Sequence, residues 1–579
     1  MKRTLGDRLI GPVIHLAGIT SLFRFSRALS QPRQTQERLL RRILHDCAES
    51  AFGKHFRFSA IRTVRDFQQA VPLQTYETLS PYMDRVHSGE SAALLPPREK
   101  ILMFGMTSGS SGDPKRIPVT TRYLRRFRKT YRLWSSLALR DHPLAVSADF
   151  CALFSSWRER FTSQGVPCGA VTGLVAELQL PWIKKRMAIP LAFSSIEDPE
   201  VREATALHHA LAHNVSFFTA ANPSTLLRIP KRLEREFESL LRELADGTFR
   251  YLGALPEEYR RHPDFRKNPD RARKVGKRIE NEGAVLPLAV WPELALISCW
   301  TGGTLTPYLE PLRRYFPGVP IRDPGLIASE GRFTIPVADD TATGVPDLTG
   351  IFFEFHPAED GGEVPIGEPV ALMLPHELEV GKRYYMVFTT SWGLYRYHID
   401  DIVEVTERRG EVPLFQFIRK GSGYASITGE KLSEDQVILA IEALPARFLE
   451  QHGDCVVTPL WGDPPGYLLV LEDDSDSPDA ELGAMALKVD ESLRGLNLEY
   501  DSKRKSHRLA PIRAALVGPR TFDRLKRREV ERAGGRSEQY KLKRIRGDFE
   551  FIDSLGEYRV VEPDQEGVAP LRRLSKSRQ

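Results

Sequence analysis

Cysteine is scarce and scattered. Cys47, Cys151, Cys168, Cys299 and Cys455 are odd in number and form no C-x-x-C pair, which argues against a disulfide framework and against a cysteine-based zinc site. A reducing cytoplasm is the expected location. No uninterrupted apolar run reaches the roughly 20 residues that span a bilayer, so no membrane partner is expected. The stretch from Leu9 to Phe23 has the apolar character of a signal sequence, but Pro12, His15 and the lack of a small-residue cleavage site favour a helix packed on the body. Charge of one sign is lacking too: 82 basic against 76 acidic residues leave only +6 over 579 residues, too little to argue for a nucleic-acid partner. No internal repeat is visible.

What is present is globular. Hydrophobic residues at 41% and charged residues at 27% exclude wholesale disorder, and the length exceeds what one core organises. Leu39, Leu40, Ile43, Leu44 and Cys47 recur at helical spacing and predict a helical opening segment. Apolar runs at Ile101 to Phe104, Leu294 to Trp300 and Ile351 to Phe355 alternate with helical patterns around 200 to 215 and 225 to 246, which predicts an α/β body. Strands follow at Arg383 to Thr390, Leu394 to Thr406 and Leu414 to Lys420. At Ser433 the pattern changes: Ser433 and Gln436 form a capping box ahead of Val437, Ile438, Ile441 and Leu444. Strands at Cys455 to Leu460, Tyr467 to Leu471 and Ile512 to Val517 then alternate with helices around 479 to 494 and 520 to 533. The expected division is a large domain over 1–420 and a small α/β domain over 421–579, joined near Arg419 and Lys420, with a basic tail in the last ten residues.

The sharpest local feature is the segment Thr107, Ser108, Gly109, Ser110, Ser111, Gly112, Asp113, Pro114, Lys115, directly after an apolar run. Glycines let backbone amides approach an anion, hydroxyls donate hydrogen bonds and the lysine adds charge, a combination suited to a triphosphate. It is not a Walker A loop, because Lys115 follows Asp-Pro and no Ser or Thr follows it. Taken alone, a flexible surface loop explains the composition equally well.

An ordered series of further segments decides between these readings. They are Thr-Gln-Glu-Arg-Leu-Leu at 35 to 40, Ala-Phe-Gly-Lys at 51 to 54, Val-Pro-Leu-Gln-Thr-Tyr-Glu at 71 to 77, Trp300-Thr301-Gly302-Gly303-Thr304, Ala328-Ser329-Glu330-Gly331, Leu394 to Asp401, Phe417 to Lys420, Gly429 to Leu432 and Gly535 to Lys541. With these the chain resembles, over nearly its whole length, the Gretchen Hagen family of acyl-acid amido synthetases within the adenylate-forming superfamily. The resemblance implies a large N-terminal adenylation domain and a mobile C-terminal domain. It implies ATP as substrate, Mg2+ as metal, a small carboxylic acid and an amine acceptor as partners, and a monomer or weak oligomer.

Residue by residue, the resemblance makes Thr107 to Gly112 and Lys115 the phosphate loop and Gly302 and Gly303 the turn beside adenine. Ser329 and Glu330 become the Ser-Glu motif, with the Glu330 carboxylate helping to hold the metal. Asp401 grips the ribose hydroxyls, and Arg419 marks the hinge. Lys541 swings in to neutralise charge on the reacting α-phosphate, as an electrostatic stabiliser and not a base. Four positions depart from the pattern: Asp400 stands for a glycine, His398 for an arginine, Leu326 for an aromatic, and Leu542 near a customary proline. Nucleotide affinity is expected to differ accordingly.

Three other readings are weighed. The adenylate passes to coenzyme A and yields a thioester; the basic stretch from Arg520 to Arg546 binds nucleic acid, although Asp523, Glu529, Glu531 and Glu538 dilute it; or the chain is a catalytically silent scaffold. His208, His209 and His213 on one predicted helix suggest a metal site at i, i+4, but no zincin glutamate lies between them and helix packing or surface placement is the better reading. Aromatic walls for the acid are expected between Tyr123 and Leu191, from Trp134, Phe150, Phe154, Trp157 and Trp182.

Overall fold

The computed structural model describes residues 18–107, 115–358, 364–421, 423–452, 454–472, 477–532 and 542–561. The expected α/β architecture is observed, in two compact units that succeed one another in the sequence between Ile418 and Arg419.

The first unit opens with helices. Residues 18–29 are helical, with Phe25 buried and Ile19 and Phe23 exposed; the part of the predicted Leu9 to Phe23 helix before residue 18 lies outside the described residues. Helix Pro32–Cys47 buries Leu40, Ile43, Leu44 and Cys47, the stripe that the helical spacing predicts. Capping boxes at Thr63 with Asp66 and at Thr75 with Thr78 start helices Val64–Ala70 and Tyr76–His87, since each satisfies amides that a helix start leaves open.

Three sheets follow. Strand Ile101–Thr107 pairs with Lys115–Thr120 on one side and, in parallel, with Pro167–Gly169 on the other. A parallel three-stranded sheet runs Asp149–Leu153, Val215–Ala220, Leu296–Ser298. The predicted helix at 200 to 215 spans Pro199–Ala212 and stops there because His213 turns extended (φ −105°, ψ 157°). The helix predicted at 225 to 246 spans Pro223–Asp246, capped by Asn222 and closed by left-handed Gly247.

A six-stranded sheet carries Thr334–Pro336, Gly344–Pro346, Val412–Lys420, Tyr397–Arg409, Arg383–Thr389 and Phe352–Pro357 in that spatial order. The strand expected from Leu394 begins only at Tyr397, because Gly393 (φ 97°) and Arg396 (φ 44°) turn the chain just before it.

In the second unit Ser433 and Gln436 form the predicted capping box before helix Glu434–Glu442. Its sheet runs Cys455–Leu460, Gly466–Glu472, Arg513–Val517, Tyr558–Val561. Val457, Leu469, Leu471 and Leu516 bury into one core with helix Asp479–Leu496, while Val456, Leu468, Val470 and Val517 bury into another with Phe522 and Leu525. Both faces being covered, these strands read as unbroken apolar runs.

Candidate active site

Several of the predicted pieces converge within the first unit. Strand Ile101–Thr107 delivers Gly105 and Met106 beside a short hairpin, Ile327–Ala328 paired with Gly331–Arg332, whose two turn residues are Ser329 and Glu330. The Ser329 hydroxyl donates to the Met106 carbonyl at 3.0 Å. A Cβ on Gly105 would lie 3.3 Å from the Ser329 Cβ, so the missing side chain is what lets strand and hairpin close up. On the other flank Trp392 Nε1 donates to the Glu330 carbonyl at 2.9 Å. Glu330 is 5% exposed, which keeps its carboxylate in low dielectric, where it acts strongly on a nearby cation.

Two further residues at this turn have no local sequence signal. Tyr123 packs its ring edge-on to Trp392 at 5.4 Å. Its buried hydroxyl has no hydrogen-bond partner among the described residues, and burial together with the Glu330 charge pushes its ionisation well up. The phenol therefore stays a neutral donor beside the carboxylate.

The Gly302–Gly303 turn is built by a buried carboxylate. Asp323 accepts from the Thr301 amide at 2.6 Å, from the Thr301 hydroxyl at 2.9 Å and from the Gly325 amide at 2.6 Å. Burial pushes the Asp323 carboxyl up to about 6, against the opposing pull of these donors and of Arg332. Gly303 then enters the left-handed region (φ 62°), and a Cβ there would stand 2.9 Å from the Ile418 carbonyl and 3.0 Å from the Phe417 ring. A Cβ on Gly302 would meet that of Ala342 at 2.7 Å. Only glycine fits both positions as they stand.

Asp401 lies on strand Tyr397–Arg409 and is 4% exposed. Tyr385 pairs with Ile402 and Val387 with His398, so Met386 alone faces Ile399, Asp400 and Asp401, and the strand bulges there. Asp400 takes φ 64°, the conformation that favours the glycine it replaces. The residues just before the bulge are anchors. Arg396 donates through Nε to both Glu354 oxygens at 3.1 and 3.2 Å, through Nη1 to the Gln68 and Val71 carbonyls and through Nη2 to the Val370 carbonyl. The Tyr395 hydroxyl donates to the Leu94 carbonyl, and its ring stacks on Phe52 at 4.8 Å. Gln74 bridges to the same segment, donating to the Arg396 carbonyl at 3.0 Å and accepting from the His398 amide at 2.7 Å.

The remaining predicted residues divide. Thr107 ends its strand and Lys115, half-buried, begins the next. Ser108, Gly109, Ser110, Ser111, Gly112 and Lys541 lie outside the described residues. Arg419 is exposed near the end of Val412–Lys420 and donates to the Lys420 carbonyl at 3.0 Å. Among the expected aromatic walls Trp134 is instead core, donating to the Asp323 carbonyl at 2.8 Å, while Trp182 is exposed and Trp157 half-buried under Arg158. Of the basic stretch, Arg546 is held by both Glu529 oxygens. No helix among the described residues is long and apolar enough to cross a membrane.

Three family models match the chain: the GH3 family N-terminal domain over residues 21–321, the GH3 family central domain over 344–420 and the GH3 family C-terminal domain over 437–548. A jasmonoyl–L-amino acid synthetase, GH3.5 of Oryza sativa subsp. japonica, is 25% identical over 554 residues, covering 88% of this chain and 92% of that protein. An indole-3-acetic acid-amido synthetase, GH3.2 of Arabidopsis thaliana, is 26% identical over 471 residues, covering 77% and 84%. The structure of a GH3.15 acyl acid amido synthetase in complex with 2,4-DB superposes with a TM-score of 0.61 at 21% identity, covering 95% of this chain and 98% of that one. At this identity the structural likeness speaks for the fold.

Proposed function

Because the chain belongs to the GH3 family, we propose that it activates a small carboxylic acid with ATP and transfers the acyl group to the amine of an amino acid. It is an amido synthetase, a ligase that forms a C–N bond through an acyl adenylate. The observation that carries the reading is the Ser329–Glu330 turn, clasped between Met106 and Trp392 at the end of the strand that leads into the Ser/Gly segment.

In the first half-reaction a carboxylate oxygen of the acid attacks the α-phosphorus of ATP, and the bond to pyrophosphate breaks. The segment Thr107 to Gly112 with Lys115 receives the departing phosphates. Gly302 and Gly303 give the base a surface free of side chains, Asp401 holds the ribose, and Lys541 offsets charge on the α-phosphate. Magnesium, when bound, would neutralise phosphate charge, and the Glu330 carboxylate would supply a hard oxygen ligand to hold it. Tyr123 contributes a neutral hydroxyl near the Glu330 charge. In the second half-reaction the amine nitrogen attacks the acyl carbon, AMP leaves and the amine loses a proton. The second unit, joined at Arg419, rotates between the two steps and withdraws Lys541.

The curated relatives act, by their names, on jasmonic and indole-3-acetic acids with amino acids, which points to an aryl or cyclic aliphatic acid here. The test is ATP–pyrophosphate exchange over a panel of such acids with wild type and Asp401→Ala, followed by product mass with amino acids or coenzyme A as acceptor. Acid-dependent exchange that the variant lacks, and an amide product, are expected. A thioester product would reassign the acceptor, and no exchange with any acid would leave a silent scaffold.

A further inference from the structure

Three histidine side chains from two separated stretches converge on one carboxylate oxygen. Asp264 Oδ2 lies 2.6 Å from His209 Nδ1, 3.1 Å from His213 Nε2 and 3.5 Å from His262 Nδ1. His209 is in the last turn of helix Pro199–Ala212, His213 caps that helix, and His262 and Asp264 flank Pro263 at a short 3-10 turn. Among the described residues, His209, His262 and Asp264 form the one group of three or more metal-ligating side chains whose ligand atoms lie within 4.8 Å of one another.

We propose that His209, His262 and Asp264 form a zinc site. Two imidazole nitrogens and one carboxylate oxygen supply three of the four ligands of tetrahedral Zn2+, with water completing the set. His213 stands beside the set and is not a ligand: its Nε2 lies 3.1 Å from Asp264 Oδ2 and its Nδ1 2.8 Å from Asp149 Oδ2, so it tethers the Asp264 carboxylate. Phe193 lies against His209 at 4.5 Å and His262 at 5.9 Å, walling one side, whereas the His213 and His262 side chains are 28% and 34% exposed and leave an entry path.

The zinc would fasten the end of helix Pro199–Ala212 to the 262–264 turn.

The full-length protein, stripped with chelator, is to be equilibrated with Zn2+ and desalted, and the metal counted by mass spectrometry; Co2+ is used in parallel as a spectroscopic probe. One zinc per chain and the intense visible absorption of four-coordinate cobalt are expected. His262→Ala, in a half-exposed turn that can lose its imidazole without opening the core, should lose both signals while keeping its circular dichroism. Wild type retaining no more zinc than His262→Ala, or giving only weak six-coordinate cobalt absorption, would overturn the site and leave a hydrogen-bonded knot.

Discussion

Arg396 and Glu354 meet as an ion pair in which neither side chain reaches solvent, with Nη2 3.0 Å from Oε1. Nε also meets Glu354, and the remaining guanidinium donors go to backbone carbonyls, so the pair ties the bulged strand to the segments at 68–71 and 370. Glu354→Gln leaves a buried cation without its counter-charge, which costs about 3–5 kcal/mol. A fall of many degrees in the thermal midpoint is expected, and a loss below about 1 kcal/mol would show the pair to be dispensable.

Asp400 is the non-glycine residue held at φ 64° in the bulge. Asp400→Gly relieves a left-handed conformation worth about 1 kcal/mol for an L residue and removes a negative charge next to Asp401. The thermal midpoint should rise and the KM for ATP should fall several-fold. An unchanged KM would separate Asp400 from the nucleotide.

Gly303 has no room for a methyl group, given the 2.9 Å approach to the Ile418 carbonyl. Gly303→Ala should cost about 1–2 kcal/mol from the left-handed backbone and raise the KM for ATP at least tenfold, measured by pyrophosphate exchange. A stable variant with normal KM would place the adenine elsewhere.

The Asp323 carboxyl, pushed up to about 6 by burial, titrates above its unfolded value near 4. Its contribution to stability is present below about pH 4 and is lost as pH rises through 6, because the unfolded chain ionises first. The loss amounts to up to ~3 kcal/mol. Comparing midpoints of wild type and Asp323→Asn between pH 4.5 and 7 isolates this: the wild type should lose stability relative to the variant as pH rises. Parallel curves would refute the shifted carboxyl.

Much of this fold is legible in the sequence, since helix Pro223–Asp246 announces itself by an asparagine cap, a glycine stop and a continuous apolar stripe, and helix Glu434–Glu442 by its capping box. The Ser329–Glu330 and Asp401 segments are legible through their neighbours in sequence. What is not legible is pairing at a distance. Asp323 looks like a loop acid until Thr301 closes on it from 22 residues away, and Tyr123 like a core aromatic until Glu330 lies beside it. His209 and His213 are set aside in the sequence because no zincin glutamate lies between them, and His262 and Asp264 join His209 only after folding brings the turn back.

Ser329 reaches for the carbonyl of residue 106 and never for its side chain. The methionine at that position is therefore replaceable, whereas the count of residues along Ile101–Thr107 is not. Deleting one residue from the strand would turn a different carbonyl toward the hairpin and flip the side chains beyond it to the opposite face. What is fixed here is a ruler length, and substitutions along the strand should be forgiven where single-residue insertions and deletions are not.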